Sequence, residues 1–223
     1  MRSVLKELFT NTTIYIIMCV ATLLMLRTII GYTGFDTNYA FLSQKQDYLQ
    51  NKIWLTFFYI HVFSSIFTLI AGFTQFSNYV LEHYRPVHRI MGRLYVFAVI
   101  LINVPSAFVM AIYANGLLPS KIAFMILDCL WFYFTLMGWR TAVRLEFNAH
   151  RNWMIRSFAL TFSAITLRTW KAVLNPFIDD NLILYMTEAW MGFVPNLLFA
   201  EWYIRSYLPL KISQKSHETR NTC

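Results

Sequence analysis

The chain has 223 residues, of which 57% are hydrophobic, 18% aromatic and only 13% charged, with a formal net charge of +8 at pH 7. A water-soluble domain carries roughly 25% charged and about 45–50% apolar residues, so this composition excludes an ordinary soluble domain and fits an all-α, polytopic membrane protein. The basic residues gather at the ends of apolar runs, which points to membrane orientation and away from nucleic-acid binding.

The first apolar run lies within "MRSVLKELFTNTTIYIIMCVATLLMLRTII". It has a basic start and no small-x-small cleavage site, so it is expected to stay as a first span over residues 12–30. The connection "GYTGFDTNYAFLSQKQDYLQNK" is polar enough to sit in water. Further spans are expected over 54–80, 90–113, 122–140, 153–174 and 182–207, giving six transmembrane helices in one domain, 1–212, with a four-helix core from spans two to five. Residues 213–223 are expected to form a flexible cytoplasmic tail. Cys19 and Cys129 lie inside apolar segments and read as packing residues, and with Cys223 they form no CxxC pair.

Charge sets the orientation. Arg2 and Lys6 precede span one; Arg85, Arg89 and Arg93 surround the second connection. Arg140, Arg144, Arg151 and Arg156 surround the fourth, and Arg205, Lys211, Lys215 and Arg220 follow span six. With six spans all of these fall on one side, so both termini are expected to be cytoplasmic.

Polar residues inside the apolar runs fall on single helix faces, at i, i+4, i+7 and beyond. From His61 the stripe reads Ser65, Thr68, Gly72, Gln75; from His88 it reads Gly92, Tyr95, Val99; from His150 it reads Met154, Ser157, Thr161, Ala164, Arg168. Lipid satisfies none of these polar groups, so such faces are expected against protein or a cofactor. Arg168 is eighteen positions beyond His150, about 27 Å along a helix. His88 and His150 are therefore placed at the cytoplasmic rim, and His61, Asp128, Arg168 and Glu188 in the outer half.

The inner pair, in "PVHRIMGRLY" and "AHRNWMIRS", has the chemistry of a bis-histidine haem b site: two imidazoles at one depth on different helices. Gly92 would admit a flat group or another backbone, and Arg93 and Arg156 could pair with haem propionates. The structural reading stands beside it, in which these residues anchor helices among lipid headgroups and phosphates. For the outer group the two readings are an ion pair of Arg168 with Asp128 or Glu188, and a proton-handling or small-molecule site of His61, Asp128 and Arg168. No HExxH, GxSxG or cysteine–histidine signature marks a hydrolase or metalloprotease.

The segments "HVFSSIFTLIAGFTQF", "RPVHRIMGRLYVFAVI" and "AHRNWMIRSFALTFSAITLR" resemble the predicted membrane proteins grouped as domain of unknown function 2306, over residues 54–171. The resemblance implies a bacterial-type multipass protein of the cell inner membrane and no established activity. A more distant similarity is to the cytochrome b-561 fold, whose four central helices each carry a haem-ligating histidine. His88 and His150 would match one pair and His61 part of the other; Asp128 stands where the fourth histidine would be, so only one haem is implied with a complete pair. The expectation is thus a b-type haem protein exchanging electrons with a small redox partner such as a quinone, a possible membrane-bound oxidoreductase. The alternative is a haem-free transport, sensing or scaffold protein whose buried polar residues are structural.

Overall fold

The computed structural model describes residues 2–207, and the side chains of 16–206 apart from Asn78. All regular structure among the described residues is helical. The helices fall into two compact units, Met1–Tyr113 and Ala114–Cys223.

The first unit begins with α1, Arg2–Gly31. Met18, Ala21, Met25 and Ile29 recur at helical spacing and are buried, whereas Ile17, Val20 and Leu24 on the other side are more than half exposed. A large bare apolar face of this kind belongs in lipid. The connection that follows is folded rather than simply polar, in short 3₁₀ turns at Ala40–Gln44 and Gln46–Tyr48. Its own Leu42 packs into a buried cluster with Tyr32, Trp54 and Phe58. Lys45, 2% exposed, donates from Nζ to the Tyr113 carbonyl and lies 4.9 Å from the Tyr48 ring centre. Aromatic residues scattered among polar ones hid this small core from a reading of average polarity.

Helix α2, Lys52–Gln75, is started by Asn51, whose side chain accepts from the Trp54 N–H. It stops five residues short of the expected 80. Ser77 caps a separate short helix, α3, Asn78–His83, by accepting from the Val80 N–H. Helix α4, Arg85–Phe97, starts five residues before the expected 90, because Pro86 sits in its first turn, where a missing N–H costs no helical hydrogen bond. A π-helical segment, Ala98–Asn103, leads into α5, Val104–Ile112. Pro105 lies just past that wide turn and has no N–H for a carbonyl in the preceding turn, one recognised reason for a local widening.

In the second unit, Gly116 precedes the first helix, and its φ of 80° is the left-handed conformation that glycine adopts without strain. Helix α6, Leu117–Val143, returns through a tight turn into α7, Phe147–Thr161. Leu145 takes φ 62° there, and the Glu146 N–H donates to the Thr141 carbonyl, satisfying a helix-end carbonyl in the manner of a Schellman cap. Helix α8, Ser163–Leu174, follows α7 after Phe162, which keeps right-handed helical φ −69° and ψ −14°. Asp180 caps α9, Asn181–Met191, and α10, Val194–Trp202, completes the unit.

Five segments among the described residues are long and apolar enough to cross a membrane: Ile16–Gly34, Lys52–Gln75, Arg85–Ile112, Leu117–Val143 and Asn181–Ser206. The expected span over 153–174 is built from α7 and α8, of 15 and 12 residues. His150, Arg151, Arg156, Arg168 and Lys171 make this stretch more polar than the others.

Candidate functional site

The polar chemistry of the second unit is concentrated where α6 and α7 run antiparallel. Three contacts set their register. Trp131 Nε1 donates to Thr161 Oγ1 at 3.1 Å, Thr135 and Ser157 hydroxyls bond at 2.7 Å, and His150 Nδ1 lies 2.8 Å from the Gly138 carbonyl. A Cβ at Gly138 would come within 2.5 Å of Met154 Sδ, so the methionine side chain would have to shift. The His150 bond also fixes the tautomer. A carbonyl can only accept, so Nδ1 carries a hydrogen, and in the neutral ring Nε2 keeps its lone pair. Metal-ligating histidines are oriented in this way, with one ring N–H on a backbone carbonyl and the other nitrogen presented.

Arg156 lies two turns on. Its Nε and Nη2 both donate to the Glu201 carboxylate of α10, and its guanidinium carbon lies 4.8 Å from the Trp153 ring centre. Arg205 Nε shares the same carboxylate at 3.2 Å. A haem propionate at Arg156 would therefore meet a guanidinium that Glu201 already holds. Asn196 on α10 ties α7 and α8, donating to the Ala159 carbonyl at 3.1 Å and to Thr166 Oγ1 at 2.9 Å.

Asp128, on α6, is 2% exposed and forms no hydrogen bond or ion pair with any described residue. Arg168, on the exposed side of α8, donates from Nη1 to its own Ala164 carbonyl at 2.6 Å. The ion pair expected between Arg168 and Asp128 or Glu188 is not formed, because the Arg168 side chain turns back along its helix.

In the first unit, His61 on α2 faces the π segment. Its Nδ1 lies 3.2 Å from the Asn103 carbonyl and 3.4 Å from Ser106 Oγ. Asn103 is fully buried and bonds twice through its side chain, to the Ala98 carbonyl at 3.0 Å and from Ser64 Oγ at 2.9 Å. His88 lies in the first turns of α4, where its carbonyl accepts from Gln75 Nε2 at 2.9 Å. Gly92, one turn on, has the Gln75 side chain against it, with Oε1 3.0 Å from where a Cβ would stand. The close approach that this glycine permits is used by Gln75. Arg93 is exposed.

The sequence pattern does not single out Asn103, Gly138 or Glu201. The first two act through a π turn and a main-chain carbonyl, which leave no spacing signature; Glu201, an acid in an apolar run, could have been paired with a basic residue on span five.

Five apolar helices with bare faces among the described residues, and buried polar residues tied across helix pairs, describe an integral membrane protein. No curated protein and no solved structure matches the chain. The family model described as "Predicted membrane protein (DUF2306)" matches residues 58–204, and the chain belongs to that family.

Proposed function

We propose that this membrane protein binds a b-type haem, with His150 as an axial ligand, and passes electrons to or from a small redox partner such as a quinone. The observation that supports it is the His150 Nδ1–Gly138 carbonyl bond, which holds the ring in the tautomer that presents Nε2. The donor chemistry of this residue fits the group. From sequence, Arg156 is a candidate partner for a haem propionate. Arg156 serves the bundle instead, since through Glu201 and Trp153 it holds α7 against α10 close to His150. When bound, haem supplies a one-electron couple. The chain contributes the ligand, its orientation and a bundle that excludes water.

The topology in this proposal has six spans, with α7 and α8 together as the fifth and both termini in the cytoplasm of a bacterial cell. Phe162 supports it, since its helical backbone lets the two helices follow on in one direction. The 28 residues from Phe147 to Leu174 amount to about 42 Å at 1.5 Å per residue, enough to cross a bilayer.

A second reading, a haem-free transport, sensing or scaffold protein, is favoured by a different observation. Thr135–Ser157, Trp131–Thr161, Asn196–Thr166 and Ser64–Asn103 all bond across neighbouring helices and need no cofactor to satisfy them.

The test is a reduced-minus-oxidised spectrum of the purified full chain from haem-replete cells. The proposal expects Soret and α bands that disappear in His150→Ala. A well-folded, colourless wild type favours the second reading.

A further inference from the structure

The second unit holds three buried oxygen groups that the fold leaves unsatisfied. Ser120 is 0% exposed, and Asp128 and Glu188 are each 2% exposed. Ser120 Oγ, Asp128 Oδ2 and Glu188 Oε2 have no hydrogen-bond partner among the described residues. All three belong to α6 and α9, which pack against each other.

Their placement is a row. A Cβ at Gly116 would meet both Ser120 Oγ and the Tyr185 ring, which brings those two groups together at the start of α6. The Phe124 and Tyr185 rings then pack edge to face at 6.1 Å. Ser120, Phe124 and Asp128 stand at i, i+4 and i+8 on one side of α6, and Tyr185 and Glu188 at i and i+3 on α9. The row from Ser120 to Asp128 covers about 12 Å of helix.

An ionised carboxylate buried at membrane depth needs an opposing charge or several donors. The elements packed here supply few. On α7, His150 is bonded to Gly138, Arg151 reaches Asn148, and Arg156 is held by Glu201 of α10. On α8, Arg168 donates to Ala164, while Lys171 is near enough to act on Glu188. On α9, Tyr185 bonds the backbone of Asn115. Lys121 is on α6 itself, one residue past Ser120. None of these gives Asp128 a counter-charge or a donor.

We propose that the α6–α9 seam is a proton-binding site in which Asp128 and Glu188 rest as carboxylic acids and exchange protons, with the Ser120 and Tyr185 hydroxyls leading toward Gly116. Each step forms or breaks one carboxyl O–H bond and needs no oxidant or reductant. The site stands whether or not the chain binds haem.

Infrared difference spectroscopy of the full chain in lipid nanodiscs, in H₂O and in D₂O, tests it without needing a chromophore. The wild type is expected to show a carboxylic-acid C=O band at neutral pH that shifts on deuteration. Asp128→Asn and Glu188→Gln should each remove part of the band, and Asp128→Glu should restore the Asp128 part. The wild-type spectrum decides even where a variant fails to fold: absence of the band at neutral pH overturns the proposal. A band left unchanged by both substitutions in folded protein does the same.

Discussion

At the scale of single residues, the fold turns on a few positions where an atom more or less changes the chemistry. Gly116 is one. Its φ of 80° disfavours any side chain, and a Cβ would run into Ser120 and Tyr185. Gly116→Ala is expected to cost about 1–3 kcal/mol, the range for a strained left-handed residue, read as a lowered unfolding midpoint in detergent. The Thr135–Ser157 bond is another, and Thr135→Ala is expected to cost about 0.6–1.7 kcal/mol, the range for hydrogen bonds between membrane helices. His150, Ser157 and Thr161 were legible in the sequence as one helical stripe, and the structure turns all three toward α6. Their partners were less legible. Gly138 contributes a carbonyl, and a main-chain group has no one-letter code.

At the scale of elements, the distinctive feature is the π segment between α4 and α5. Widening the helix there brings Asn103 Nδ2 to the Ala98 carbonyl and leaves the Asn103 carbonyl for His61. Asn103→Ala removes two side-chain bonds, one buried and one part-buried. At about 0.5–1.5 kcal/mol each, the expected loss is about 1–3 kcal/mol, measured by chemical denaturation in detergent. The long apolar helices were legible because twenty or so apolar residues have few other fates. Their ends were not. Ser77 ends one run early and Pro86 begins the next early, and both act through local hydrogen bonding that an average of hydropathy smooths away. The α7–α8 segment is obscured for a related reason: the residues that make it chemically interesting also make it polar.

For the whole molecule, the membrane assignment rests on composition, on five long apolar helices and on the bare apolar faces they carry. The proposed six-span topology makes a direct prediction in intact cells. With native cysteines replaced, single cysteines at Asp36, Asn115 or Asp179 are expected to react with an impermeant maleimide from outside. Single cysteines at Glu82 or Glu146 should be protected until the membrane is opened. Labelling of Asp179 and Glu146 from the same side would show that α7 and α8 do not cross. The functional claim is tested most directly by assaying haem that copurifies with the folded chain and with His150→Ala from haem-replete cells. Haem is expected on the wild type and absent from the equally well folded variant; a folded wild type without haem, or a His150→Ala protein that keeps its full complement, would overturn the haem assignment.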